Sequence, residues 1–189
     1  MPDNKRRLDH ILGADYLANI RARSTDEVRA MRAETREEEA LLSYERRMLH
    51  GRLAILNKEL ERRARGDDAG TLLDLLPSIL SDHDQRGPSR GSLPLNDPNL
   101  DFAHPHRRVT KLVSDDTIAN LPALDEAEIR RIIGELESAE HDVSAQRRPL
   151  LDVLDSLNEE IARRYQTGEA DPSDVLAGGK GQSQDGSNI

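Results

Sequence analysis

Apolar side chains return along this chain at alternating steps of four and three over two long stretches. In the first, the steps fall on Val28, Arg32, Thr35, Glu39, Leu42, Arg46, Leu49, Leu53, Leu56 and Leu60. In the second they fall on Ile129, Ile133, Leu136, Glu140, Val143, Arg147, Leu150, Leu154, Leu157 and Ile161. A 3.5-residue period sustained over heptad after heptad is the pattern of helices wound on one another in a coiled coil. Both stretches open with a capping box, Ser24 followed by Glu27 and Asp125 followed by Glu128. In such a box each side chain satisfies the other residue's backbone N–H, which starts a helix at a defined point. The first helix is therefore predicted from Thr25 to Arg65, stopping at Gly66, and the second from Glu126 to Gln166, stopping at Thr167-Gly168.

The remainder has a different texture. Residues 1–23 carry Leu8, Ile11, Leu12, Tyr16, Leu17 and Ile20 at helical spacing broken by Gly13, a short helical segment. Residues 67–124 read as a linker with short helical pieces: an apolar cluster at Leu72–Leu80, a flexible run rich in Pro, Gly, Asn and Ser at Asp84–His106, and a small apolar set of Val109, Leu112, Val113, Ile118 and Leu121. The tail, residues 168–189, is Gly, Ser, Asp and Gln and is expected to be disordered. The fold expected is all-α: two long helices (24–66 and 125–167) forming an antiparallel coiled coil, with short flanking helices and a disordered linker and tail.

The two helical stretches are copies of one another. Ser24–Ala64 and Asp125–Tyr165 align without a gap at an offset of 101, and 14 of the 41 pairs are identical. Paired antiparallel and aligned at their centres, the copies would face each other across a pseudo-two-fold axis near Glu45 and Gln146. The long connection permits either direction. It also permits a monomeric hairpin or a dimer that exchanges helices with a second chain.

Composition narrows the class. Only 35% of residues are hydrophobic and 33% are charged, with one Phe and no Trp. Such a chain can line a narrow helix seam but cannot build a thick core. No stretch approaches the ~20 apolar residues of a membrane span, no signal peptide heads the chain, and cysteine is absent. A cytoplasmic protein without membrane attachment is expected. The net charge of −9 opposes direct DNA binding and suits a basic protein partner.

The polar identities that matter most are Glu39-x3-Ser43-x2-Arg46 and Glu140-x3-Ser144-x2-Arg147. Steps of four and three put each trio on one helix stripe, with the Glu and Arg on the seam itself. Charge buried there costs several kcal/mol per ion unless paired. One reading is a device that sets register through interhelical ion pairs. A register device, however, has no need of a short hydroxyl at the same place in both copies. The other reading is recognition of a guanine nucleotide. A carboxylate accepts from the N1–H and N2–H2 edge of guanine, and Arg forks onto O6 and N7 or stacks on the ring. Ser donates to phosphate, with Arg47 and Arg148 adding charge nearby.

The duplicated trio resembles the cyclic di-GMP signature of the RsiG-type anti-sigma factors of spore-forming actinomycetes, which continues to a Gln and an Asp further along each helix. Here those positions are His50 and Ala54 in the first copy and Leu151 and Asp155 in the second. The resemblance implies a ligand site of Glu39, Ser43, Arg46, His50, Glu140, Ser144, Arg147 and Asp155. It implies two cyclic di-GMP molecules, stacked as a dimer, that lock the protein onto a sigma factor of the sporulation and flagellar type. Leu8–Ile20 and Leu72–Leu80 would then be docking segments for sigma domains. The competing reading is a ligand-independent coiled-coil adaptor.

Other signals carry less. His104-x-His106 lacks acidic or Cys partners at ligand spacing, so no metal is expected. Pro149 lies inside the second helix, where it removes a hydrogen bond and frees a carbonyl. Lys5-Arg6-Arg7 reads as a solvated basic end. No nucleophile-base grouping or glycine-rich phosphate loop marks an enzyme.

Overall fold

A computed structural model describes residues 3–66 and 103–170. The apolar cluster at Leu72–Leu80, most of the linker and residues 171–189 of the tail lie outside the described residues. What is described is helical: α1 (Asp3–Ile11), a 3-10 turn (Ile20–Ala22), α2 (Thr25–Arg65), α3 (Ala103–Leu112), α4 (Asp115–Ala119), a second 3-10 turn (Leu121–Ala123) and α5 (Glu126–Thr167). There is no strand among the described residues, and no helix among them is long and apolar enough to cross a membrane.

The local chemistry anticipated for the long helices is present. Glu27 Nα–H donates to Ser24 Oγ (3.2 Å) while Ser24 N–H donates to Glu27 Oε2 (2.6 Å). The Asp125–Glu128 box repeats this with 2.7 and 3.1 Å bonds. Gly66 and Gly168 follow the two helices with φ of 69° and 75°, the left-handed conformation that ends a helix and that glycine adopts without a Cβ clash. α5 continues through Pro149.

The chain divides into two compact units. The first comprises residues 3–35 and 152–170 of those described: α1, the first 3-10 turn, the start of α2 and the end of α5. Its core is Ile11, Tyr16, Val28, Met31, Leu157 and Ile161. Tyr16 Oη donates to the Met31 carbonyl (3.0 Å), and the His10 ring meets the Tyr16 ring edge-on at 5.2 Å. Arg7 donates from Nη2 to the Glu34 carbonyl (3.3 Å), so this residue of the basic start is docked on α2 rather than solvated. A guanidinium docks there because α2 offers it a backbone acceptor.

The second unit comprises residues 36–66 and 103–151 of those described. Here α2 and α5 pack side by side as in a hairpin, partner numbers falling on one helix as they rise on the other: Glu39 with Arg147, Arg46 with Glu140, Arg63 with the Leu124 carbonyl. Leu42, Leu49, Leu56, Ile129, Leu136, Val143 and Leu150 fill the seam. α2 buries a further stripe, Glu38, Glu45, Arg52 and Glu59, at steps of seven. Arg108 of α3 reaches Glu45 (3.3 Å), and Arg52 donates to the Val113 carbonyl (3.1 Å) and to Asp115 (2.7 Å). Burial pushes the Glu45 carboxyl above its ordinary range, against the pull of Arg108.

The structure also lengthens the repeat. The same offset of 101 lays α3 on α1 and the second 3-10 turn on the first. It aligns Arg7 with Arg108, Asp15 with Asp116 and Ala18-Asn19 with Ala119-Asn120. The two small apolar sets seen before each long helix are one set, duplicated. Each copy is anchored in the same way. In the second unit Arg63 donates from Nε to Glu59 (2.7 Å) and from its terminal nitrogens to the Leu124 (2.7 Å) and Leu121 (2.9 Å) carbonyls. In the first unit Arg164, only 2% exposed, donates to Glu160 (2.7 Å), the Ile20 carbonyl (2.9 Å) and Thr25 Oγ1 (3.2 Å). The end of each long helix therefore staples the turn that leads into the other.

Removing a staple takes a charge-assisted donor from the buried glutamate and from the turn, at about 1–3 kcal/mol. The Ile20 and Leu121 carbonyls keep one backbone N–H each, and the Leu124 carbonyl loses its donor. Arg164→Met is expected to lower stability by about 2–3 kcal/mol, and Arg63→Met by somewhat less, since Arg63 is more exposed. Urea unfolding followed by circular dichroism gives the size. Amide exchange should show protection lost first at Ile20–Arg23 in the former and at Leu121–Leu124 in the latter.

Candidate functional site

Seven of the eight candidate residues come together in the second unit, in two crossed clusters. In one, Glu39 and Ser43 of α2 meet Arg147 of α5. Ser43 Oγ donates to Glu39 Oε1 (2.6 Å), and Arg147 Nε lies 2.7 Å from Glu39 Oε1 and 2.6 Å from Ser43 Oγ, its single N–H shared between them. In the other, Glu140 and Ser144 of α5 meet Arg46 and His50 of α2. Glu140 Oε1 accepts from Arg46 Nε (2.8 Å), Ser144 Oγ (2.8 Å) and His50 Nε2 (3.0 Å). A carboxylate has no proton to give, so His50 carries its hydrogen on Nε2 in this contact. Each arginine thus pairs with the glutamate of the other copy.

The eighth residue, Asp155, belongs to the first unit, is exposed, and makes no hydrogen bond or ion pair with any described residue. The centre of exchange also differs from the sequence expectation. The crossed pairs put it midway between positions 39 and 46, at Leu42-Ser43 and Val143-Ser144, rather than at Glu45 and Gln146. The reason is the charge pairing itself, which sets the register, while Glu45 turns instead to Arg108 of α3.

The two clusters are not equally open. Side-chain exposure is 4% for Glu39 and 17% for Arg147, against 22% for Glu140 and 38% for Arg46. Burial pushes the Glu140 carboxyl up, but hydrogen bonds from Arg46, Ser144 and His50 together outweigh it and bring it down to about 2. Of the neighbouring arginines, Arg148 is exposed and Arg47 buries an Nε that meets no acceptor among the described residues. Chemically the clusters offer carboxylates, hydroxyls and guanidiniums at fixed spacing: donors for phosphate and acceptors for a base edge. The described residues form no group able to hold a metal ion.

Sequence reasoning passed over the staple residues. Glu59/Glu160, Arg62/Arg163 and Arg63/Arg164 are identities of the repeat, and that was the available signal. Arg163 and Arg164 both donate to Glu160 and bring its carboxyl down to about 2 against the opposing effect of burial.

A protein whose described residues are helical, with two related long helices and a duplicated polar stripe, is the class these observations define. The chain belongs to the RsiG-like family, whose model matches residues 14–80 and 115–178. The two matched segments begin 101 residues apart, the offset of the repeat. The family is one of regulators rather than enzymes, and membership points to an anti-sigma role with a sigma factor as partner. No curated protein matches the chain at a significant level.

Breaking one member of a buried pair strands the other charge, at about 3–5 kcal/mol, whereas exposed pairs are worth about 0–1 kcal/mol. Glu39→Ala should therefore destabilise the protein by about 3 kcal/mol and Arg46→Ala by about 1 kcal/mol, in urea unfolding at neutral pH. Acid gives a second check. A carboxyl held near 2 contributes stability above its ordinary value of 4.5 and loses it as pH falls between the two. The Tm of the wild type should fall through that window, and Glu140→Gln should flatten part of the fall, Glu160 accounting for another part. A slope unchanged by Glu140→Gln would refute this assignment.

Proposed function

We propose that this protein is an anti-sigma factor that holds a sigma factor of the sporulation and flagellar type in a cyclic di-GMP-dependent complex, keeping it from RNA polymerase in the cytoplasm. The observation that carries the reading is the duplicated Glu-Ser-Arg stripe, gathered as two crossed clusters on neighbouring helices. In this reading α2 and α5 form an antiparallel coiled coil within one chain. Glu39 and Glu140 receive guanine edges, Arg46 and Arg147 fork onto or stack against the bases, and Ser43 and Ser144 donate to phosphate. A ligand with its own two-fold symmetry suits two stripes related by a pseudo-two-fold axis. Two nucleotides would serve as the clasp, and falling nucleotide levels would release the sigma factor. The net charge of −9 fits a basic protein surface better than DNA.

A second reading is favoured by one observation: the charges already satisfy each other, as in an adaptor that uses them only to set register. Calorimetric titration of cyclic di-GMP into the protein mixed with a sporulation-type sigma factor separates the two. The proposal expects complex formation that requires nucleotide, with one nucleotide per stripe, abolished when Arg46 and Arg147 are both changed to Ala. It also expects that changing Glu39, Arg46, Glu140 and Arg147 together to Leu stabilises the helix pair and removes the nucleotide response. Partner binding that survives this fourfold change, with or without nucleotide, would establish the adaptor instead.

A further inference from the structure

The repeat gives an internal control, because each cluster can be compared with the other at the same offset. Three differences coincide. The Glu39–Ser43–Arg147 cluster is sealed, its glutamate and arginine both largely buried, while the Arg46–Glu140 cluster opens to solvent. The open cluster has one more donor, His50 Nε2, on Glu140 Oε1. The residue 101 positions on from His50 is Leu151, which has no hydrogen to donate. All three bonds that Glu140 accepts fall on Oε1, and no described residue donates to Oε2.

We propose that His50 is a positioning residue that makes the two halves of the site unequal, holding Glu140 ready so that the Arg46–Glu140 half takes its nucleotide before the Glu39–Arg147 half. The inference rests on the cyclic di-GMP reading above and concerns the order and inequality of binding within it. The physical argument has two parts. A ligand entering the sealed half must first separate a buried ion pair that shares its hydrogen with Ser43, and the desolvated charges have no water to replace one another. In the open half, Arg46 uses only Nε and keeps its terminal nitrogens toward solvent, and Glu140 offers a free Oε2 on a carboxylate already anchored by three bonds. Anchoring reduces the side-chain entropy lost on binding, so the same contacts yield tighter binding there. His50 has no need to touch the ligand for this. It acts through Glu140.

The test is nucleotide titration of the full-length protein, alone and with the sigma factor. Calorimetry is read together with the arginine Nε–H resonances of Arg46 and Arg147, using wild type, His50→Leu, His50→Gln, Arg46→Ala and Arg147→Ala. Circular dichroism establishes that each variant is folded. The expected result is two binding steps, with the Arg46 resonance moving in the first and the Arg147 resonance in the second. Arg46→Ala should weaken the first step about tenfold more than Arg147→Ala does. His50→Leu, which makes the two copies alike at this position, should weaken the first step about five- to tenfold and bring the steps together. His50→Gln, whose amide can still donate to Glu140, should restore most of the difference; a purely packing role for His50 would not predict that rescue. If both resonances move together in the wild type, or if His50→Leu leaves the first step unchanged, the inequality is overturned while the nucleotide reading stands. If wild type binds no nucleotide with or without the sigma factor, both fall.

Discussion

Opposite charges placed in an apolar helix seam must find each other, and that requirement organises this protein. Each copy of the repeat puts a glutamate and an arginine seven residues apart on its seam. If the helices ran parallel and in register, Glu39 would face Glu140 and Arg46 would face Arg147, like against like. If they ran in opposite directions but slipped by one heptad either way, one of those same like-charged pairs would reappear. Only the register found, Glu39 with Arg147 and Arg46 with Glu140, satisfies all four. The leucines on either side would pack almost as well one heptad over. The cost of an unpaired buried charge, several kcal/mol, removes that freedom. The serines are carried to the centre of exchange as a consequence, where the two stripes lie closest to equivalence.

A second use of the repeat lies at the helix ends, and it too depends on arginine. Arg63 and Arg164 lie at equivalent positions, each held in place by a glutamate four residues before it and donating to backbone carbonyls of the turn that precedes the opposite long helix. In each turn the first carbonyl, Ile20 or Leu121, accepts one backbone N–H, from Arg23 or Leu124, and has a second lone pair still to fill. A planar guanidinium, with several donors in a fixed fork, can satisfy two acceptors at once where lysine would reach one. This accounts for arginine in both copies without any appeal to ligand. The repeat therefore duplicates two separate things: a scaffold device at the ends and a chemical stripe in the middle.

Much of this was legible in the residues before any coordinates. Helix limits followed from capping boxes and from glycine stops, because these are local contacts encoded within a few positions. The seam positions followed from their period. The centre of pairing did not, because period reports which face is buried and says nothing of what buries it. The stripe of Glu38, Glu45, Arg52 and Glu59 shows the difficulty most plainly. Written as a sequence it is a charged face and reads as solvated, yet Arg108 of α3 reaches Glu45, Asp115 of α4 pairs with Arg52, and Arg62 and Arg63 of α2 itself pair with Glu59. The relation of α1 to α3 was hidden for another reason. Leu8 with Val109, Ile11 with Leu112 and Ile20 with Leu121 exchange one aliphatic residue for another, which preserves packing while erasing identity.

The same charges that set the register have a bearing on how a ligand could act. A nucleotide that binds the seam carboxylates and guanidiniums equally well in the free protein and in a complex would shift no equilibrium, however tightly it bound. The ion pairs prevent that equality. In the free chain each glutamate and arginine of the stripe already has an internal partner, so a nucleotide that breaks those pairs gains only the difference between its contacts and those it displaces. A partner surface that supplies further contacts to the nucleotide, or relieves the exposed Arg46 and Arg148, tips that difference. Conditional binding of this kind needs charges that are nearly but not fully committed to each other. The unequal exposure of the two clusters is what such a compromise looks like in a duplicated sequence: both pairs hold the register, one from a buried position and its copy from one open to solvent.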